Sequence, residues 1–334
     1  MSETPESEAL ETEAPASAAE AKNESQTAAK AATQASAPER TDLAIGEVAQ
    51  RTGVNPVTLR AWERRYGLLE PARTGKGHRL YSERDVLRIR DIQAWLARGV
   101  AIGKVRPLLE QPHEHAPVED SWAQLVADTQ KLEARLAPAE LERHLEQLLS
   151  AYPLPLLLDR WLAPLQRRFG RQRRFGSSVA RALFWRQLGE LLAVNLRAAR
   201  RNRQRRPALG RLLLLTFPGS EQGVFAQLFE AALTDMGFEV IALAPEVELG
   251  ELAFAEQGLG LDGVICYSHH TLPLAVLHSG IERAQRGLRV PLWFAGGFVE
   301  LQQQELLPLT ERGEIRLLPA DCAAALEQLR GQLP

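Results

Sequence analysis

Apolar positions recur at helical spacing through the first half of the chain, then change to short continuous runs beyond residue 211. The two patterns predict different architectures. In Asn55–Gly67, Leu59, Trp62 and Tyr66 fall on one helical face, and Val57, Arg60, Ala61 and Arg64 fall on the opposite one. Asn55 suits an N-cap, and Pro56 suits the first helical position, where no amide donor is needed. Ahead of it, Ile45–Gly53 reads as a shorter helix stopped by glycine. Helix, glycine turn and capped second helix form the layout of a helix-turn-helix, whose second helix enters the major groove. Arg73–Tyr81 holds Gly75 and Gly77 in a basic stretch, which predicts a tight hairpin with Arg73, Lys76, His78 and Arg79 near its tip. Ser82–Asp85 reads as a capping box opening a third helix on Val86, Ile89, Trp95 and Leu96, stopped by Gly99. A fourth short helix is expected from Ile102 to Leu109, kinked or ended early by Pro107.

From 119 to 206 the period stays helical. One helix carries Trp122, Leu125, Val126 and Leu132; others span Ala137–Leu149, Leu154–Phe169 and Ser177–Ala199, which predicts a four-helix bundle. Beyond it, Leu212–Thr216, Phe238–Leu243, Gly263–Tyr267, Val290–Ala295 and Ile315–Leu318 read as buried strands, with Gly223–Met236 as the first crossover helix. Alternating strands and helices imply a doubly wound parallel sheet, flavodoxin- or Rossmann-like. The expected fold class is therefore mixed: an N-terminal winged helix-turn-helix, all-α with a small β wing, then a helical bundle, then an α/β doubly wound parallel sheet. Ligands of such sheets bind at the carboxyl ends of the strands, here Phe217–Gly223, Ser268–Thr271 and Gly296–Gly297.

Charge divides the chain further. The net charge of −2 hides an acidic, aromatic-free tail over residues 1–40, whose residues 1–38 hold seven Glu and which is expected to be disordered. That tail is read as a solubilising extension, or as an acidic competitor of DNA for the basic face. Residues 41–110 form the DNA-binding region, with basic residues in excess as a phosphate-binding module requires. Residues 111–118 are a linker, 119–206 the bundle and 207–334 the α/β domain. The two cysteines, Cys266 and Cys322, lie far apart, so no disulfide framework is expected. No apolar run reaches the roughly 18 residues of a membrane span. A cytoplasmic protein with no membrane partner is expected. His113, His115, His269 and His270 lack further ligands at metal spacing, and no catalytic constellation stands out, so neither metal nor enzyme is expected.

The run from Ile45 to Val100, and above all Asn55–Leu69, resembles the DNA-binding domain of the MerR family of transcription regulators. Within it, the resemblance is to the branch that includes curli activators and cobalamin-dependent photoreceptor repressors, the MlrA/CarH-like branch. About seventy residues carry it. It implies that Thr58, Arg60 and Arg64 hold recognition-helix positions and that Arg79 and Tyr81 contact phosphate. With the cap and the hairpin, the expected DNA-binding set is Asn55, Thr58, Arg60, Arg64, Arg73, His78, Arg79 and Tyr81. The implied partners are double-stranded DNA, read as an inverted repeat, and a second copy of the chain.

Bundle plus sheet is similar to the cobalamin-binding half of the photoreceptor repressors. In that family a histidine on the first strand-to-helix loop ligates cobalt. Here Pro218–Phe225 has no histidine; Ser220 or Gln222 stands at the ligand position, depending on which glycine sets the alignment. The family's Trp, nine residues, Glu-His signature is also missing: ten residues after Trp122, Trp161 and Trp185 stand Leu132, Arg171 and Asn195. Ser268 and the pair Gly296–Gly297 match family landmarks. The expectation is a kept fold with lost ligation and no cofactor. The alternative is a cobalamin-dependent light- or ligand-sensing repressor with non-standard cobalt ligation. Between Arg167 and Arg211 stand fourteen arginines against one acid, Glu190. They form a solvated helix end, a contact with operator backbone, or a site for an acidic regulatory protein or anionic effector such as a cyclic dinucleotide. The effector or partner surface expected on that last reading comprises Arg200, Arg201, Arg203, Arg205, Ser220, Ser268, Gly296 and Gly297.

Overall fold

Polar side chains start the N-terminal helices where the sequence places them. The computed structural model describes residues 43–110, 121–171, 175–204, 206–217, 223–243 and 247–333. The expectations for the tail 1–40 and the linker 111–118 lie outside those residues. Strand β1 (Leu43–Ala44) leads into α1 (Ile45–Thr52), and Gly53, at φ 69°, ends that helix by donating its amide to Ala49 O. Only a residue at ease in the left-handed region turns the chain this sharply. Asn55 Oδ1 then accepts the Thr58 amide at 2.8 Å and caps α2 (Pro56–Arg64). Strands β2 (Ala72–Arg73) and β3 (Arg79–Tyr81) form the wing. The two residues of β1 add to the other edge of β3, with Leu43 opposite Tyr81, so the wing is a three-stranded sheet in the order β1-β3-β2. The capping box of α3 (Glu83–Ala97) forms in full between Ser82 and Asp85. A 3₁₀ turn precedes α4 (Val105–Glu110). Pro107 sits in the first turn of α4, where its missing amide has no helical partner to lose, so the helix runs through it to Glu110.

The bundle comprises α5 (Ser121–Ala134), α6 (Pro138–Ala151), a third helix broken into α7 (Leu154–Leu156), a π-helical stretch Leu157–Leu162 and α8 (Ala163–Arg171), and the long α9 (Ser177–Arg203). The α/β region runs β4 (Arg211–Thr216), α10 (Gly223–Met236), β5 (Glu239–Leu243), α11 (Leu252–Leu259), β6 (Gly263–Tyr267), α12 (Leu274–Gln285), β7 (Leu292–Ala295), α13 (Phe298–Leu301), α14 (Gln303–Glu311), β8 (Arg316–Leu317) and α15 (Cys322–Gln332). All five strands are parallel, in the order β5-β4-β6-β7-β8. That is the flavodoxin-like order.

Alternate residues of each strand face opposite ways, which divides the core in two. Leu212, Leu214, Ile265, Tyr267 and Trp293 join one apolar cluster with α10, α15, the bundle and the N-terminal helices. Leu213, Leu215, Val264, Cys266 and Phe294 join a second with α12 and α14. The first cluster ties the winged helix to the rest of the molecule, and it includes an indole bond from Trp62 Nε1 to Ala151 O at 2.8 Å.

A second tie joins bundle to sheet. Asp159, in the π-helical stretch, accepts the Cys322 amide at 2.9 Å at the start of α15. Burial raises its carboxyl to about 7, with the Cys322 amide pulling the other way. A folded pKa above the unfolded value near 4 means that this group favours folding at low pH and that the advantage is lost as pH rises through 7. Asp159→Asn keeps an acceptor and removes the titration. Its melting temperature should match wild type at about pH 4 and exceed it at pH 8. A variant less stable than wild type at pH 8 would contradict this assignment.

Candidate nucleic-acid interface

Helix α2 has a broader buried face than its periodicity implies. Pro56, Thr58, Leu59, Ala61 and Trp62 are all buried, because α6 of the bundle packs on this side as well as α1. Ala61, expected on the outward face, is therefore interior. So is Thr58, expected at a recognition position: it is fully buried, and its hydroxyl meets no partner among the described residues. The outward face is narrower, made of Val57, Arg60, Arg64 and Arg65, with Val57 42% exposed. Asn55, half-buried, is occupied as the cap.

The wing stands beside that face. Thr74 donates its amide to His78 O at 2.8 Å, and Gly77, at φ 80°, donates to Thr74 O, so the tip is a closed turn. Arg73, Lys76 and His78 are exposed on it. One acid organises the junction. Glu63, on α2, accepts Arg73 Nη2 at 2.7 Å on one carboxylate oxygen and Arg79 Nε on the other. Burial opposes the charge on Glu63, but the hydrogen bond and charge of Arg79, with help from Arg73, hold its carboxyl below the usual value. The Glu63 and Arg79 side chains are only 14% and 13% exposed. Arg79 is thus an internal strut between wing and helix, not the free surface cation expected of it.

Tyr81 also departs from expectation. It is fully buried, and burial pushes its hydroxyl up to about 12. Its hydroxyl and Arg79 Nη2 are buried donors with no acceptor among the described residues. Arg79 and Tyr81 point the same way from β3, two residues apart. Glu63 was missed by sequence reasoning. The only signal available was a single acid inside an otherwise basic helix.

The expected effector surface is partly spent on internal contacts. Arg200 pairs with the buried Glu230 of α10, and Arg203 lies 3.8 Å from Glu239. Arg203 is mostly covered, at 14% exposed, whereas Arg200 keeps 47% of its side chain exposed beside its partner. Arg201 is exposed. Arg205 and Ser220 lie outside the described residues. Ser268 is buried, and its hydroxyl closes a local turn with His270 O and N. Gly296, at φ 97°, passes so close that a Cβ would sit 2.1 Å from Ser268 O. Gly297 donates its amide to His269 Nδ1 at 3.2 Å. His269 Nε2 therefore carries the proton and meets the Tyr267 hydroxyl at 2.7 Å. Burial lowers the His269 pKa to about 4. Its ring packs 4.5 Å from Phe225, and Tyr267 stacks on Phe229 at 4.8 Å. Among the described residues no three His, Cys, Asp or Glu side chains gather as a metal site, and no helix is long and apolar enough to cross a membrane.

Residues 43–112 match the model of the MerR HTH family regulatory proteins. The chain is 53% identical over 78 residues to the HTH-type transcriptional regulator MlrA of Escherichia coli (strain K12), which is 23% of this chain and 31% of that protein. It is 32% identical over 136 residues to the HTH-type transcriptional repressor CarH of Myxococcus xanthus, 36% of this chain and 44% of that one. It is 32% identical over 108 residues to the HTH-type transcriptional regulator ZntR of Escherichia coli (strain K12), 31% of this chain and 76% of that protein. The match thus spans about a third of MlrA and most of ZntR. Among solved structures, the Methanosarcina barkeri monomethylamine corrinoid protein aligns with 63% of this chain and 99% of its own, at 14% identity and a TM-score of 0.48. The chain belongs to the MerR family of helix-turn-helix regulatory proteins.

Proposed function

We propose that the chain is a sequence-specific DNA-binding transcriptional regulator that acts as a homodimer on an inverted repeat, with a C-terminal half that has lost cobalamin ligation. The observation that carries the first part is the outward face of α2. Arg60 and Arg64 stand on it, next to a wing tip bearing Arg73, Lys76 and His78, and the acid on the same helix, Glu63, is taken up by Arg73 and Arg79. Guanidinium groups on a groove-sized helix read guanine edges, and cations on a hairpin hold phosphate. One such head spans few base pairs, so two related by a dyad are needed for a usable site.

The residues present do not fit cobalamin. Residues 217–223 contain no imidazole to ligate cobalt, and Phe225 and Phe229 pack against His269 and Tyr267 where a nucleotide base would need an open slot. His269, the nearest imidazole, has both ring nitrogens engaged. In this reading the C-terminal half works through protein contacts and a regulatory protein or anionic small effector.

Sedimentation of the full chain with duplex DNA tests the proposal. A duplex carrying both half-sites should bind two chains cooperatively, one half-site should bind far more weakly, and added cobalamin should change neither result in light or dark. A monomer that binds one half-site with full affinity would refute the dimeric reading. A stoichiometric cobalamin complex with a histidine-like cobalt spectrum would refute the loss of ligation.

A further inference from the structure

Two helices from opposite ends of the chain, α3 and α15, face each other across a cleft of about 500 Å³. Arg90, Ala94 and Ala97 of α3 lie on one wall, and Ala323, Leu326 and Arg330 of α15 on the other. On each helix these positions fall on one face, at spacings of three or four residues. The floor is apolar, supplied by Leu156 of the bundle and Met236 at the end of α10. The cleft therefore borders the winged helix, the bundle and two helices of the α/β region at once.

Its charge is lopsided. Arg51, Arg90 and Arg330 line it against the single acid Glu327. Arg51 is taken up by Glu83 at 2.6 Å. Arg330 spends one nitrogen on Arg51 O at 3.2 Å and keeps its other donors. Arg90 is exposed, and no described residue hydrogen-bonds or ion-pairs with it. Two guanidiniums with donors to spare above an apolar floor form a two-part recognition surface.

We propose that this cleft binds a small organic anion, its oxyanion held by Arg90 and Arg330 and its apolar body against Ala94, Leu326, Leu156 and Met236. The volume lies within the range of about 300–1,000 Å³ typical of small-molecule sites. Planar guanidinium forks favour carboxylate, sulfonate or phosphate oxygens. The regulatory consequence rests on the proposed function: an anion touching both the winged helix and α15 favours whichever arrangement of the two binds it better. The binding itself does not rest on that reading.

The test is a fluorescence titration of the full chain with 8-anilinonaphthalene-1-sulfonate, an aromatic sulfonate of the proposed class, without DNA. One saturable site per chain is expected. The double change Arg90→Glu with Arg330→Glu should weaken it by about tenfold or more, and Ala94→Trp should fill the cleft and remove it. These are surface positions, and Ala323→Trp blocks the opposite wall should Ala94→Trp unfold. A titration unaltered by both the charge reversal and the cleft-filling changes would overturn the proposal. So would binding that appears only after residues 1–40 are deleted, which would assign the cleft to the chain's own acidic tail. Because DNA is absent, the outcome is independent of whether the chain regulates transcription.

Discussion

Replacing Glu63 with Ala is expected to destabilise the protein by about 3 kcal/mol, the size of effect seen when one partner of a buried ion pair is removed. The Arg79 guanidinium is 13% exposed, and its Nε has Glu63 as its only acceptor among the described residues. Its Nη2 already has none. Without the carboxylate, a buried cation is left with no counter-charge, and the wing loses its strut to α2. Urea denaturation should show a lower midpoint with an unchanged slope. Arg73, 52% exposed, also pairs with Glu63 and is released by the same change. The salt dependence of DNA binding should steepen by about one counterion, since one more cation becomes free to meet phosphate. Glu63→Gln keeps the hydrogen-bonding geometry without the charge and should fall between the two. A Glu63→Ala protein with wild-type midpoint would show that the pair carries no structural role.

What could be read from the chain in advance was whatever local chemistry decides. Asn55, Gly53 and the Ser82–Asp85 box fix helix ends through bonds within three or four residues, and they appear as expected. Leu212–Leu215 reads as a buried strand because a parallel strand covered on both faces is apolar throughout. What escaped was set by partners far along the chain. Thr58 and Ala61 are buried because α6 meets α2, and Trp62 reaches Ala151 across 89 residues. Arg79 looked like a phosphate contact because nothing in its neighbourhood announces Glu63, sixteen residues back. Arg200 looked unpaired because Glu230 is thirty residues on, in another layer of the fold. The π turn at Leu157–Leu162 has no compositional mark, yet it places the Asp159 carboxylate at the start of α15.

The second large effect concerns the two arginines left on the outward face of α2. Arg60→Ala or Arg64→Ala should each weaken binding to the preferred site by about 1–3 kcal/mol, while non-specific affinity changes little. The asymmetry follows from what each contact reads. An arginine that spans a guanine edge discriminates between bases, whereas a lysine on a wing tip is expected to meet only backbone, so Lys76→Ala should lower affinity for all sequences alike. Neither arginine is part of the buried face, so folding should be unaffected.

Selection of bound duplexes from a random pool, run in parallel for wild type, Arg60→Ala and Arg64→Ala, bears on the central claim most directly. The wild-type chain should enrich an inverted repeat, and each variant should lose preference at particular base pairs, symmetrically in both half-sites. Enrichment of no sequence by the wild type, or of the same sequence with undiminished preference by both variants, would contradict the account.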